Sequence, residues 1–235
     1  MGLYQTLYGV YQTGRASVVT VAESLILPPD DDRYAERLRV WAGKVVRAAE
    51  IDLVIRGREH LPRGEACVVM ANHQSFYDIP VLLLAVEGRM TFVAKKELFR
   101  VPVFGRAMTT AGIVRVDRGD HAQAVASLHS AVEQLRRGRH IYIAPEGTRS
   151  PTGDLGPFKS GGFRMALEAG ARILPVAVDG TRHVLPARKL VVQNGQRVVV
   201  TIQPPIDTKE YGLDRRKELM EVVRRAIAEP LGQSE

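Results

Sequence analysis

The amino-acid sequence predicts an α/β fold: a central mixed, largely parallel sheet flanked by helices, preceded by an N-terminal amphipathic helical element. Two observations predict it. From residue 51 onward, short runs rich in valine and isoleucine alternate with segments of helical periodicity, as in strands joined by crossover helices. Before residue 51 the pattern is helical and basic. We therefore expect an N-terminal helical element over residues 1–50 and an α/β domain over residues 51–235.

The composition is that of a globular protein with a cationic surface. The chain has 235 residues, of which 45% are hydrophobic and 25% charged, and its formal net charge is +7. Such a charge indicates an anionic partner: nucleic acid, an acidic membrane surface or a phosphorylated small molecule. The single cysteine, Cys67, lies within ACVVM and is predicted to be a buried small hydrophobe. The sequence shows no apolar run long enough for a transmembrane helix and no secretory signal.

The N-terminal element contains an amphipathic basic helix. Residues 3–27 are apolar in patches, PPDDD interrupts them, and the segment from Arg33 to Ile51 then spaces apolar residues helically among cations. The apolar residues of this second segment are Tyr34, Leu38, Trp41, Val45 and Ala48. Two interpretations remain open: the helix lies on an anionic bilayer, or its apolar stripe packs on the core of the domain.

The α/β domain is predicted element by element. Strands are expected at DLVIRG, ACVVMAN, MTFVAK, GIVRV, HIYIAP, RILPVAV, KLVVQ and RVVVTIQ. Helices are expected at DIPVLLLAVEG, after Asp120, around GGFRMALEAG and from Asp214. Asp120 is suited to cap the second of these helices, and Gly138 to end it. QNGQ predicts a hairpin with a two-residue turn at Asn194 and Gly195 between the last two strands.

The stretch ANHQSFYD places polar side chains directly after a buried strand. Proline is tolerated only in the first turn of a helix, so Pro80 predicts a helix that starts near Asp78, with Asp78 as its cap. His73 then lies on the preceding turn, where the Asp78 carboxylate can curl back and hold its ring in one tautomer. An imidazole oriented in this way is suited to be a general base. The alternative is a solvated turn histidine beside a helix cap, because the spacing alone is not specific.

Polar and cationic clusters follow four of the predicted strands. They comprise Lys95 and Lys96, Arg115 and Arg118, the turn Glu146, Gly147, Thr148 and Arg149, and Lys159. Backbone N–H groups at a glycine and bidentate arginines suit an oxyanion, and ligand groups gather beyond the carboxyl ends of strands in open α/β sheets. The clusters therefore predict an anion-binding pocket beside the base. The sequence contains no phosphate loop of the NTPase type, no nucleophile elbow and no metal-binding motif.

Together these motifs resemble the glycerophospholipid acyltransferase family, in particular the 1-acylglycerol-3-phosphate acyltransferases. NHQSFYD is similar to the first family motif and GIVRVDR to the second, with Arg118 at its terminal arginine. PEGTRS matches the third motif, and ILPVAVDGT, around Pro175, is similar to the fourth. The sequence departs from the family at Arg115, where an aromatic residue is usual, and at Ala177 and Asp179, where a second proline is absent.

The resemblance implies acyl transfer from acyl-CoA or acyl-carrier protein to the free hydroxyl of 1-acyl-glycerol-3-phosphate, which gives phosphatidic acid without cofactor, metal or covalent acyl-enzyme. His73 is then the general base and Asp78 its orienting partner. Arg118 and Arg149 hold the acceptor phosphate, and Glu146 binds a polar group of the acceptor or orders the pocket. Gly147, Thr148, Lys95, Lys96 and Lys159 complete the expected substrate-binding set.

The resemblance also implies a lipid acceptor, and with it a peripheral or monotopic protein at the cytoplasmic face of a membrane. It therefore favours membrane association for the N-terminal element over residues 1–50, through the Trp41 helix and the segment that precedes it. Two alternatives stay open: another lysolipid acceptor such as lyso-ornithine lipid, and a non-catalytic lipid-binding protein of the same fold. A nucleic-acid-binding module is disfavoured, because the sequence has no recognition-helix or RNA-binding signature and only 6% aromatic residues.

Overall fold

The computed structural model describes residues 2–117 and 121–233. Its helices are α1 (Gly2–Ser24), α2 (Asp31–Ala48), α3 (Asp78–Ala85), α4 (Phe104–Thr110), α5 (His121–Arg136), α6 (Gly161–Ala169), α7 (Thr181–Val184) and α8 (Arg216–Ala228). Its strands are β1 (Asp52–Arg56), β2 (Val68–Ala71), β3 (Met90–Lys95), β4 (Val114–Val116), β5 (His140–Ile143), β6 (Ile173–Asp179) and β7 (Arg197–Ile202). Of these, α4 and α7 were not predicted.

The strands form one sheet in the order β1-β7-β6-β2-β5-β3-β4. From β6 to β4 every neighbouring pair is parallel, whereas β7 runs antiparallel to β6 and β1 is parallel to β7. The predicted mixed, largely parallel sheet flanked by helices is therefore confirmed. Because five neighbouring strands point the same way, their carboxyl ends meet at one edge of the sheet.

The central strand β2 separates two apolar cores. All four of its residues are fully buried, as expected for a parallel strand covered on both faces. Val69 and Ala71 pack with α2 and α3, together with Cys67, which precedes the strand. Val68 and Met70 pack on the opposite face with residues of α5, α6 and α8. Cys67 is buried, as predicted, and burial raises the pKa of its thiol to about 12.

Helix α2 packs on the first of these cores. The Asp30 carboxylate caps its start by accepting the N–H groups of Asp32 and Arg33. Its buried residues face the core, which agrees with the second interpretation of this amphipathic segment. The Trp41 indole faces α1, where its N–H donates to the Thr13 hydroxyl over 3.1 Å.

Helix α1 has its polar face turned inward. Gln5, Gln12, Ser17 and Thr20 are buried, whereas a stripe of large apolar side chains is exposed: Leu3, Tyr4, Leu7, Val10, Tyr11 and Val18. Within the described ranges, no helix combines the length and the apolar character that crossing a bilayer requires. Most of the exposed large apolar side chains of the N-terminal element therefore lie on α1 and on residues 25–27 that follow it, whereas the Trp41 helix exposes Val40.

Two sequence predictions in the last third of the chain are wrong. Residues 189–193 (KLVVQ) form no strand, and Asn194–Gly195 therefore joins no hairpin. The backbone groups of this segment are used elsewhere: the Thr6 hydroxyl of α1 accepts the Val192 N–H, and the Val184 carbonyl accepts the Gln193 N–H. β7 pairs instead with β1 and β6. The predicted helix cap at Asp120 lies outside the described residues.

Candidate active site

The candidate site begins where β2 ends. Asn72, directly after the strand, is buried and locks the chain to β6: its amide donates to the Val178 carbonyl over 2.8 Å, and its side-chain oxygen accepts the Val178 N–H over 2.7 Å. A short polar side chain that bonds neighbouring backbone fixes the course of a turn. The Asn72 bonds therefore fix the position at which the next residue, His73, leaves the sheet.

His73 and Asp78 lie in direct contact. The distance between Nδ1 of His73 and Oδ2 of Asp78 is 2.6 Å, and the carboxylate is fully buried while the imidazole keeps some exposure. Asp78 begins α3, as predicted, but its carboxylate does not cap that helix. The same Oδ2 instead accepts the N–H groups of Gln74 and Ser75. An ionised Asp78 holds the proton of His73 on Nδ1, which leaves Nε2 as an acceptor.

Sequence reasoning missed the residue that holds the other oxygen of this carboxylate. The Thr181 hydroxyl donates to Oδ1 of Asp78, and both side chains are fully buried. Gly180 directs Thr181 here with φ of 95°, because a Cβ at this position would lie 2.3 Å from the Arg197 carbonyl oxygen. The sequence signal that could have identified Thr181 is the Gly180–Thr181 pair, which follows a buried strand at the predicted carboxyl edge of the sheet.

The carboxylate of Glu146 accepts hydrogen bonds from backbone N–H groups and is not free in a pocket. It is only 5% exposed; one carboxylate oxygen accepts the His73 N–H over 2.8 Å, and the other accepts the Gly156 N–H over 2.9 Å. Burial raises the pKa of Glu146, and the two N–H donors only partly oppose this rise. Of the two predicted roles, this geometry favours ordering the pocket over contacting the acceptor.

The turn after β5 brings the third motif beside His73. The Ser150 N–H donates to the His73 carbonyl over 2.7 Å, which ties the two turns together. The Arg149 guanidinium stacks on the Phe76 ring, 4.1 Å from its centroid. Gly147, Thr148 and Arg149 line the same cavity as His73, which is the arrangement expected of these residues.

The remaining cationic residues predicted for the site do not share one location. Lys95 ends β3 and lines the cavity, whereas the ammonium group of Lys96 pairs with the Asp117 carboxylate. Lys159 is exposed and is not among the residues that line the cavity; its backbone N–H donates to the Pro145 carbonyl. Arg118 lies outside the described residues. In the described part of the chain, no three His, Cys, Asp or Glu side chains are grouped as metal ligands.

A largely apolar cavity of about 780 Å³ opens beside the imidazole. It extends from His73 and Arg149 along β3 and β5 to Ile113, which precedes β4, the last strand on that side of the sheet. The inner faces of α1 and α2 and one side of α4 complete its wall. The site therefore joins a histidine–carboxylate pair and a stacked guanidinium to a long apolar cavity.

Comparison with known proteins agrees with this arrangement. A family model described as acyltransferase matches residues 52–179. The chain is 34% identical over 205 residues to a chloroplastic 1-acyl-sn-glycerol-3-phosphate acyltransferase, BAT2, of Brassica napus, which covers 85% of this chain and 58% of that protein. It is 36% identical over 153 residues to the 1-acyl-sn-glycerol-3-phosphate acyltransferase of Escherichia coli strain K12, which covers 65% of this chain and 61% of that protein. The chain thus spans less than two thirds of the length of these relatives.

A solved structure extends the likeness to the whole fold. The crystal structure of the 1-acyl-sn-glycerophosphate acyltransferase PlsC from Thermotoga maritima superposes with a TM-score of 0.79 at 27% sequence identity. The match covers 100% of this chain and 98% of that one, so it includes the N-terminal helices as well as the sheet.

Proposed function

The chain belongs to the acyltransferase family, and on this premise we propose that it transfers a fatty acyl group to the free hydroxyl of 1-acylglycerol-3-phosphate, giving phosphatidic acid. The observation that carries the proposal is the 2.6 Å contact between His73 and Asp78 at a largely apolar cavity. The printed activity of the relatives from Brassica and E. coli supports this acceptor.

In the proposed reaction His73 is the general base. Its Nε2 takes the proton of the acceptor hydroxyl as the oxygen attacks the carbonyl carbon of an acyl thioester. The tetrahedral intermediate then collapses, the carbon–sulfur bond breaks, and the departing thiolate receives the proton from the imidazolium. The products are an ester and a free thiol, so no acyl group is left on the protein.

Asp78 stabilises the imidazolium formed during this reaction. Its carboxylate is fully buried and accepts hydrogen bonds from the backbone at Gln74 and Ser75 and from the Thr181 hydroxyl. A buried carboxylate with several donors keeps its position and its charge without rearrangement by solvent. The pair is thus oriented before substrate binds, and Glu146 serves the same purpose by holding the His73 backbone.

Arg149 is the proposed ligand of the acceptor phosphate. Guanidinium groups bind phosphate oxygens through two parallel hydrogen bonds, and stacking on Phe76 restricts the plane in which Arg149 offers them. Gly147, Thr148 and Lys95 line the same cavity and are proposed as further contacts. Arg118 keeps its proposed role as a second phosphate ligand, which rests on the family motif alone.

The cavity suits a fatty acyl chain, because lipid chains favour apolar surroundings and this cavity of about 780 Å³ is lined mainly by apolar side chains. Acyl-CoA or acyl-carrier protein is the proposed thioester donor. The acceptor is itself a lipid, so we propose that the protein works as a peripheral or monotopic enzyme at the cytoplasmic face of a membrane. The exposed apolar stripe on α1 supports contact with a membrane surface.

An acceptor panel tests the proposal. Purified protein is supplied with radiolabelled acyl-CoA or acyl-carrier protein and with lysophosphatidate, lysophosphatidylcholine or lyso-ornithine lipid. We expect labelled phosphatidic acid from lysophosphatidate, and its loss in a His73→Ala variant. Acylation of lyso-ornithine lipid alone would replace the proposed acceptor, and lipid binding without any acylation would identify a non-catalytic lipid-binding protein.

A further inference from the structure

The four residues from Arg188 to Val191, called here the RKLV loop, are all exposed although two of them are large and apolar. Leu190 is 83% exposed and Val191 is 42% exposed. Isolated exposed leucines are common, but here the pair follows two cations, Arg188 and Lys189. The segment KLVVQ, which the sequence pattern predicts to be a strand, thus begins in an exposed loop with both basic and apolar side chains.

The backbone holds this loop in a strained conformation. The Lys189 N–H donates to the Pro186 carbonyl over 3.1 Å, which closes a tight turn. Arg188 occupies the left-handed region of that turn with φ of 66°, where glycine is the usual residue. A non-glycine residue in this region costs about 1 kcal/mol or more, and such strain is concentrated at functional positions.

The RKLV loop is continuous with the exposed apolar face of α1. The Thr6 hydroxyl on the first turn of α1 accepts the N–H of Val192, the residue that follows the loop. Gly2 approaches so closely that a Cβ there would lie 2.1 Å from the Val192 carbonyl oxygen and 2.9 Å from a methyl carbon of Val191. Leu3 and Leu7, which are exposed on α1, each follow a residue that contacts this segment, so the exposed face of α1 begins beside the loop.

The segment that carries the loop is also bonded to the candidate active site. The Ser75 hydroxyl donates to the Leu185 carbonyl over 2.9 Å, and Ser75 also donates its backbone N–H to the Asp78 carboxylate. Phe76, the next residue, is 53% exposed, and Arg149 is stacked on it. A surface that binds the RKLV loop would therefore lie close to the opening of the candidate site.

The charge of the segment points to an anionic surface. From residue 180 to residue 206 the sequence contains arginine and lysine but no aspartate or glutamate. Apolar side chains beside cations suit the boundary between acyl chains and anionic headgroups. A second copy of this chain, with a net charge of +7, offers no such complement.

We propose that the RKLV loop is a second bilayer contact, beside that of α1: Leu190 and Val191 enter the headgroup boundary while Arg188 and Lys189 bind anionic headgroups. The proposal rests on the proposed function in one respect, because the acceptor lipid is what brings the protein to a bilayer. Together with α1, the loop fixes the orientation of the protein so that the opening beside Phe76 and Arg149 faces the lipid.

A fluorescent probe at position 190 tests the insertion directly. Cys67 is fully buried and its thiol pKa is about 12, so a dye directed to thiols will label Leu190→Cys selectively. The matched control is Leu213→Cys, because Leu213 is 54% exposed but adjoins α8 on the other face of the sheet. With vesicles that contain phosphatidylglycerol, we expect a blue shift and protection from an aqueous quencher at position 190 and neither at position 213.

Substitutions test the energetic contribution of the loop. We expect Lys189→Gln to weaken co-sedimentation with anionic vesicles by about fivefold, since one surface cation near anionic lipid contributes on that order. Lys217→Gln, at an exposed position of α8, should leave binding unchanged. Arg188→Gly is the sharpest variant, because relief of the left-handed strain should preserve or raise the melting temperature while vesicle binding falls.

The outcomes separate the two proposals. A dye at position 190 that stays in water while the protein co-sediments with vesicles would overturn the loop contact, as would Arg188→Gly binding like the wild type. If the wild type does not co-sediment with vesicles, a lipid bilayer is not the partner of the loop and the proposal is wrong. Acylation of a short-chain, monomeric lysophosphatidate would still support the proposed function in that case. If Leu190→Ser alters the oligomeric mass but not vesicle binding, the surface is a protein contact and the proposal is wrong.

Discussion

The Thr181 hydroxyl donates a hydrogen bond to Asp78 from 103 positions along the sequence. It is the side-chain donor to Oδ1, while the other carboxylate oxygen receives His73 and two backbone N–H groups. The fourth motif thus contributes a side-chain hydroxyl to the carboxylate of the first motif, in addition to the Asn72–Val178 hydrogen bonds, and this hydroxyl helps to fix the orientation of the Asp78 carboxylate.

We therefore expect Thr181→Ala to lower kcat by roughly 10- to 100-fold, because small misplacements of a catalytic pair are costly. KM should change little, and Thr181→Ser should restore most of the rate. The variant should also lose about 1–3 kcal/mol of stability, since a buried acceptor is left without its donor. Thr208→Val is the control: Thr208 is equally buried, its hydroxyl has no partner among the described residues, and it should keep full activity. A higher KM at unchanged kcat would contradict this positioning role.

His73→Ala is expected to reduce acyl transfer by roughly 10²- to 10⁴-fold, the usual contribution of a positioned base. The fold should survive, because the His73 side chain is partly exposed and Glu146 binds its backbone and not its ring. Steady-state rates and a thermal melt of the same preparation check both statements. His129→Ala, at an exposed position of α5, is the matched control, and near-normal turnover of the His73 variant would remove the base from the mechanism.

Glu146 should make stability depend on pH with a definite sign. Its pKa is raised by burial above the ordinary value of 4.5, so the unfolded chain ionises at lower pH than the folded one. The stability contributed by the protonated group is complete below 4.5 and is lost as the pH rises through the raised pKa. We expect the melting temperature of the wild type, relative to Glu146→Gln, to fall between those two values and then level off. A difference that grows as the pH rises would contradict the effect of burial.

Arg149→Ala should raise KM for a phosphate-bearing acceptor by roughly 10-fold or more, because a charge-assisted contact contributes about 1.5–3 kcal/mol. Arg149→Lys should recover only part of this, since an ammonium lacks the bidentate geometry and stacks less well on Phe76. Initial rates over a range of lysophosphatidate concentrations provide the measurement. Arg164→Ala on α6 controls for the general loss of charge, and an unchanged KM in Arg149→Ala would refute phosphate binding.

Replacing the exposed stripe of α1 should release the protein from lipid without unfolding it. In the double variant Leu7→Ser with Val10→Ser, both side chains face solvent, so the melting temperature should hold while co-sedimentation with vesicles falls by roughly 10-fold or more. These substitutions are preferable to removal of the helix, because Thr13 and Ser17 on its inner face form part of the cavity wall. Unaltered co-sedimentation would exclude α1 as a lipid contact.

The part of the site that a short stretch of sequence encodes was predictable. His73 and Asp78 are five positions apart, and Pro80 limits where the helix after His73 can begin, so the contact follows from local geometry. Thr181 could not be inferred in the same way, because its meeting with Asp78 depends on the pairing of β2 with β6. Glu146 was recognised as a motif residue, but its backbone partners became visible only with the two turns in place.

The failures in the fold have a similar cause. Alternation of apolar residues indicates a strand only when a neighbouring strand is available, and at Val192 a hydroxyl of α1 takes the backbone N–H first. The polarity of α1 likewise has a cause distant in sequence: its inner neighbours Trp41 and Arg37 donate hydrogen bonds to Thr13 and Thr20, so its polar face turns inward. In both places a contact distant in sequence decided the local structure.

The inverted polarity of α1 also affects how the isolated protein will behave. In solution the exposed leucine, tyrosine and valine side chains of α1 will bind detergent or associate with other copies of the chain. The particle size will therefore vary with detergent and protein concentration. The oligomeric mass should therefore be compared at several detergent and protein concentrations before it is assigned to a specific assembly. If α1 binds lipid as proposed, melting temperatures measured without detergent or lipid will fall below those measured with vesicles.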